Sequence, residues 1–261
     1  MSRERNMKSK IIAGIGLVLF LLAALALSAV EGCAPLPADP PPTSAPGGST
    51  WYELYFTTPK YPDKKEDHRG SIDDKLAAFI NRAQKSVDMA IYQLDSASVT
   101  LALLDAKKRG ATVRVATDID ILNDKDENPS FKDLQKVGIP VVGGNSNAIM
   151  HDKFVVVDNA AVWSGSWNFT ENDTYRYNNN GIAIQSPELA RNYTVTFEKM
   201  FSDKKFGPQR KPGGTTPRLT IAGVAVENYF SPEDNVADKI IARLKTAARS
   251  IDFMAFSFTD D

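Results

Sequence analysis

From Trp51 onward the apolar positions follow two rhythms, and each predicts its own kind of element. Ile72, Leu76, Phe79, Ile80 and Ala83 recur at helical spacing, which predicts a helix over Ile72 to Lys85 with one buried face. The next stretch, Ser86 to Leu94, reads as a strand. A second helix is predicted over Ser96 to Lys108, closed by Gly110, and a second strand over Ala111 to Thr117. A short helix over Phe131 to Val137 and a strand over Ile139 to Val142 follow. Two closely spaced strands, Phe154 to Asp158 and Ala161 to Ser164, flank an Asn-Ala turn; a last strand over Gly181 to Gln185 leads to a helix over Glu188 to Phe201. Such alternation predicts an α/β domain whose sheet is covered by helices.

Beyond that domain the chain repeats itself. Gly207 to Arg218 reads as a linker by its glycine and proline content. Val236 to Thr259 then superposes without gaps on Ile72 to Asp95, matching Asp74 with Asp238, Lys75 with Lys239, Ala78 with Ala242, Ser86 with Ser250 and Asp88 with Asp252. Leu219 to Asp261 is therefore expected to begin a second, truncated copy of the domain at 51–206, against the plainer reading of an extension packed on the first.

The amino terminus follows neither rhythm. Arg3, Arg5, Lys8 and Lys10 precede an uncharged run from Ile11 to Val30, which reads as an export signal or an uncleaved anchor over residues 1–32. The single cysteine, Cys33, follows in Val30-Glu31-Gly32-Cys33-Ala34. That context resembles a bacterial lipoprotein cleavage site, although Glu31 stands where a small uncharged residue is expected, so Cys33 is a candidate for lipidation. Residues 33–50 are proline-rich and read as an extended tether. The expected location is exported and membrane-tethered in a bacterial envelope, or secreted.

The 261 residues carry a net charge of −1; without residues 1–32 there remain 27 bases and 30 acids, or −3. A nonspecific nucleic-acid binder leaves a basic footprint, and this total shows none. Asp118, Asp120, Asp124, Asp126 and Glu127 cluster in TDIDILNDKDE but lack the glycine and spacing of a calcium loop, so they read as a solvated acidic loop.

The chemistry concentrates in MHDKFVVVDNAAVWSGSWNFT. His151, Lys153, Asp158, Gly165, Ser166 and Asn168 fall in the order H-x-K, four residues, D, six residues, G-S-x-N, across strands flanking a tight turn. Cleaving a phosphodiester requires a nucleophile competent near neutral pH, cations for the phosphoryl oxygens and a proton for the leaving group. Imidazole suits the first requirement, and Lys153, two positions along an extended segment, places its ammonium on the same side. This pattern resembles the HKD signature of the phospholipase D superfamily. The resemblance implies a mixed sheet between helical layers, no metal or cofactor, and a phosphohistidine intermediate on His151. It further implies that Lys153, Asn168 and Ser166 bind phosphate, that Gly165 lets the backbone approach closely, and that Asp158 joins the catalytic set as a hydrogen-bonding partner.

Two departures accompany the resemblance. Where the family often places a carboxylate against the nucleophile's other ring nitrogen, this chain has Asn179, whose amide would orient the imidazole but neutralise less charge. The family mechanism also uses two histidines, and this chain has only His68, in a charged loop, and His151. The second is expected from a missing second lobe or from a homodimer partner. A phospholipid is the favoured substrate, a nucleic acid the alternative, and a binding protein with a decayed site the reading from another class.

Overall fold

The structure, a computed structural model, describes residues 50–124, 129–145 and 148–256. The apolar run, Cys33, most of the proline-rich tether and residues Asp126 and Glu127 lie outside the described residues. Among the described residues, no helix is long and apolar enough to cross a membrane.

Seven strands form one sheet in the order β1-β7-β6-β5-β2-β3-β4. They are β1 (Tyr52–Phe56), β2 (Ser86–Ile91), β3 (Thr112–Thr117), β4 (Val141–Gly143), β5 (Lys153–Val157), β6 (Ala161–Gly165) and β7 (Asn180–Gln185). Strands β2, β3 and β4 run parallel, and every other pairing is antiparallel. One face carries α1 (Ile72–Asn81), α2 (Ala97–Lys108) and α4 (Pro129–Lys136); α3 (Ile119–Asn123) leads out of β3, and α5 (Glu171–Tyr175) lies between β6 and β7. The other face is covered by α6 (Pro187–Phe201).

Alternation along β5 shows why the centre of the sheet needs two covering layers. Val155 and Val157 join the core beneath α1 and α2, whereas Phe154 and Val156 join Leu189, Phe197 and Met200 of α6. The α6 layer is also pinned by charge: Arg114 on β3 makes a bidentate pair with the buried Asp88 of β2 and a third bond to Glu198 of α6, at 2.7–2.8 Å.

Helix α1 stops at Asn81, four residues before the periodicity runs out, because the amides of Gln84, Lys85 and Ser86 turn to the carboxylate of Asp158. Strand β2 ends at Ile91, and the chain beyond it is tied to the segment after β6 by bonds between Gln93, Asp95 or Ser96 and Phe169. Residues Tyr52–Phe56, which the apolar pattern left unassigned, form the edge strand; inward-facing Tyr55 stacks on Trp163 at 5.1 Å.

The carboxy-terminal region divides in two. Arg210, within the stretch expected to be a linker, is buried and pairs with Asp152 at 3.0 Å and Glu233 at 3.1 Å. A hairpin of β8 (Arg218–Ile221) and β9 (Val224–Glu227) follows, and Ile221 and Phe230 are buried on the domain, with Phe230 edge-on to Tyr193. Helix α7 (Val236–Leu244) falls within one residue of the bounds of α1 when shifted by 164 positions. Yet α1 buries Ile72, Leu76, Phe79 and Ile80, and α7 buries nothing. The strand expected from Ser250 is absent among the described residues, which reach residue 256 without strand pairing. A strand exists only against a neighbour's ladder, and among the described residues none lies alongside.

Candidate active site

Antiparallel pairing gathers the motif at one end of the sheet. Lys153 opens β5 opposite Ile91 at the close of β2, and Gly165 closes β6 opposite Gly181 at the start of β7. His151 and Tyr92 therefore meet, with ring centroids 5.1 Å apart at 71°.

The backbone around His151 is fixed from several sides. The amide of Met150 donates to Asp118 Oδ2 at 2.8 Å, the side chain of Asp152 is paired with Arg210 at 3.0 Å, and Lys153 Nζ donates to the His151 carbonyl at 3.1 Å. Asp118 is fully buried, also caps α3 through the Asp120 amide, and accepts from Asn145. It is a pillar of the site and not part of a solvated loop, since a buried carboxylate persists only when its oxygens are bonded. Its position directly after β3, where it caps a helix, is the signal that would have found it. Arg210 had no comparable signal, because glycine and proline around it read as linker.

Burial dominates the electrostatics. Lys153 is only 8% exposed, and desolvation pushes its ammonium down to about 8, against the opposing pull of Asp173 and Asp152. Desolvation, then the Lys153 charge, holds His151 below the ordinary imidazole value, while Asp152 and Asp173 act to raise it. Near neutral pH the site thus offers an unprotonated imidazole beside a cation. That is the charge state in which an imidazole can attack phosphorus while an ammonium attracts the phosphoryl oxygens.

After β6 the alternation sorts the GSxN segment. Trp167 and Phe169 are buried in the core; Ser166 and Asn168 lie outward of it. Gly165 is required by a close approach within the sheet: a Cβ there would stand 2.2 Å from the Asn180 carbonyl oxygen. The Ser166 hydroxyl donates to Asn179 Oδ1 at 2.9 Å and accepts from the Asn180 amide at 3.1 Å. Its one donor is thus engaged with Asn179, and the residue braces β7. Asn168 donates its amide to Asp173 Oδ2 at 2.9 Å, and its own Oδ1 is buried without a hydrogen-bond partner among the described residues. The bond to Asp173 is made by the backbone N–H, so a half-turn of the side-chain amide would put an NH₂ donor at the place of Oδ1, suited to a phosphoryl oxygen.

Two expectations change here. Asn179 does not hold the His151 ring: the Thr57 hydroxyl fixes its backbone amide at 2.7 Å, and its side chain bonds Ser166 and the Asp173 carbonyl. Asp158 stands apart from His151 at the opposite end of β5, where it accepts the amides of Gln84, Lys85 and Ser86 at 2.7–2.9 Å. It closes a turn and touches none of the site, because the whole length of β5 intervenes. His68, in its charged loop, stacks on Tyr175 at 3.5 Å and pairs with Asp63 at 2.6 Å. The sequence reading also missed Tyr92 and Asp173; Thr170-x-x-Asp173 is a capping pattern, and Thr170 Oγ1 does accept the Asp173 amide at 3.2 Å.

Among the described residues, no group of three or more histidine, cysteine or acidic side chains could hold a metal ion. Residues 76–201, which include the whole motif, match a family described as cardiolipin synthase, phospholipase D-like domain. A phospholipase D of Rickettsia felis is 35% identical over 118 residues, covering 45% of this chain and 58% of that protein. A mitochondrial cardiolipin hydrolase of Xenopus tropicalis is 29% identical over 136 residues, covering 52% of this chain and 64% of the relative. The chain thus spans less than two thirds of the length of these curated relatives. Among solved structures, a phospholipase D family member from Salmonella typhimurium, Nuc, aligns with 57% of this chain and 91% of its own at 27% identity and a TM-score of 0.49.

Proposed function

Because the domain at residues 76–201 belongs to the phospholipase D superfamily, we propose that this chain is a phosphodiesterase that cleaves phospholipid head groups through a phosphohistidine on His151. The observation that carries the reading is the meeting of His151, against Tyr92, with the buried Lys153 at the end of β5. An imidazole nitrogen attacks phosphorus, the P–O bond to the leaving alcohol breaks, and water then releases the phosphoryl group from His151. Lys153 and Asn168 hold the phosphoryl oxygens, and Asp118, Arg210 and Tyr92 keep the imidazole in place.

The leaving alkoxide needs a proton, and His68 is engaged with Asp63 and Tyr175. We assign the proton donor to a second copy of the motif, in a second lobe or a partner subunit. The α1-like pattern of α7 and its exposed Ile240, Ile241 and Leu244 support a second lobe. The apolar run and Cys33 support an envelope protein held at a membrane, where lipid substrate is at hand. Incorporation of labelled palmitate, lost in Cys33→Ala, tests a lipid anchor.

Phospholipid is favoured by the names of the relatives and by the absence of an overall basic charge. The test incubates full-length protein, without added metal, with phosphatidylcholine and cardiolipin vesicles and, separately, with supercoiled plasmid. Head-group release that His151→Ala abolishes supports the proposal; plasmid nicking alone transfers the mechanism to nucleic acid; equal release by His151→Ala overturns it.

A further inference from the structure

We infer that Asp173 is the positioning residue around which the phosphate-binding half of the site is assembled, and that it supplies the site with the negative charge that Asn179 does not carry. The inference rests on His151 being the nucleophile.

Asp173 touches the site through both its side chain and its backbone. Its carboxylate accepts the amide of Asn168 at 2.9 Å, and its backbone carbonyl accepts Asn179 Nδ2 at 3.2 Å. Asn179 in turn accepts the Ser166 hydroxyl. Asn168, Asn179 and Ser166 therefore hang from one residue on the first turn of α5, and Thr170 fixes that turn by capping it. The segment is anchored from the other side as well, since the Glu171 amide donates to Asp95 at 2.7 Å.

The same carboxylate acts on both cationic groups of the site. The charged and titratable side chains facing His151 are Lys153 and Asp152 beside it in sequence and Asp173 from α5, with the Tyr92 ring against the imidazole. Asp152, the stronger of the two anions on His151, is paired with Arg210; Asp173 is the stronger on Lys153. Asp173 makes no ion pair among the described residues, and its charge favours protonated His151 and charged Lys153 alike. As His151 bonds to phosphorus the imidazole becomes cationic, and a fixed anion stabilises that development. The family resemblance implies a carboxylate at position 179; here the charge comes from six residues earlier, and the amide at 179 is bonded to Ser166 and to the Asp173 carbonyl.

Full-length Asp173→Asn keeps an oxygen for the Asn168 amide and removes only the charge; Asp173→Ala removes both. Two readouts separate the roles: NMR titration of the chain's two imidazoles, which needs no substrate, and kcat and KM on the diester. In Asp173→Asn, His151 is expected to titrate lower than in the parent, with kcat falling about tenfold and KM changing little. Asp173→Ala is expected to raise KM as well, because Asn168 loses its anchor. A His151 titration unchanged in folded Asp173→Asn overturns the inference, as does an Asp173→Ala protein that loses thermal stability alone. If the parent turns over no diester, the proposed function fails, while the titration still decides the role of Asp173.

Discussion

The two ends of strand β5 are built to opposite specifications. At its far end Asp158 has its carboxylate bonded by three backbone amides, and it leads a turn in which Asp158 and Asn159 both adopt positive φ. At its near end Lys153 is buried with one hydrogen bond to a carbonyl, His151 is partly desolvated beside it, and Asn168 has a buried oxygen with no partner among the described residues. The satisfied end is what a stable fold wants, and the frustrated end is what a ligand wants. Unmet hydrogen-bonding capacity and desolvated charge cost stability in the free protein and are relieved when an anion arrives. Residues of one short motif thus divide into those that hold the hairpin and those that act.

The division is broken most directly by substitution at each end. His151→Ala should lower kcat by about 10⁴-fold or more while leaving the melting temperature nearly unchanged, since the side chain is exposed and carries no core packing. Steady-state kinetics and thermal unfolding of the same preparation check both halves. Asp158→Ala should do the reverse, costing about 2 kcal/mol of stability for the lost charged hydrogen bonds, with kcat per folded molecule retained. Burial acts to raise the Asp158 carboxyl, but the amides of Ser86, Gln84 and Lys85 outweigh it and hold the group below its ordinary value. Stability from Asp158 is therefore present above about pH 4 and lost as pH falls through the depressed folded value. Urea unfolding at pH 7 and pH 3 should show a gap between parent and Asp158→Ala that narrows in acid.

A smaller effect separates the two groups of the frustrated end. Attack requires neutral His151, so kcat/KM should rise through a pKa below the ordinary imidazole value of about 6.5. Phosphate binding requires charged Lys153, so it should fall near 8. The optimum lies between, near neutral pH, with about a tenfold loss for each unit beyond either limb. In Lys153→Arg the fall near 8 that comes from Lys153 should be lost, leaving only the alkaline limb of the proton donor, because guanidinium does not titrate there. A profile flat from pH 6 to 9 in the parent would contradict the desolvation of the pair.

What could be read in advance follows the same line between local and distant. The helices, the strands and the H-x-K and G-S-x-N spacings were legible because periodicity and motif are local properties. Asp118, Arg210 and Tyr92 were not, since each acts across the fold: Asp118 reaches the Met150 amide 32 positions away and Arg210 reaches Asp152 across 58; Asp173 acts locally, on Asn168 and Asn179, and was visible only as part of a helix-capping pattern. Asn179 was placed against His151 by spacing alone, and the bond from Thr57, 122 positions away, fixes its backbone instead. Helix α7 shows the limit of local reading. It has the pattern of α1 and forms a helix, yet without a partner it buries nothing, and the strand expected after it does not form among the described residues.

Ser166 gives the smallest expected effect and the finest division, because it belongs to the acting end by position and to the holding end by its bonds. A phosphate ligand removed by Ser166→Ala would raise KM and leave the fold alone. A brace would act otherwise: the loss of its bonds to Asn179 and to the Asn180 amide loosens β7 against β6 and disturbs the cradle only through Asn179. One neutral hydrogen bond is worth about 1 kcal/mol, or roughly fivefold in an equilibrium. The brace therefore predicts a few degrees off the melting temperature, kcat reduced about fivefold and KM nearly constant, whereas a rise of tenfold or more in KM without thermal loss would return Ser166 to the phosphate.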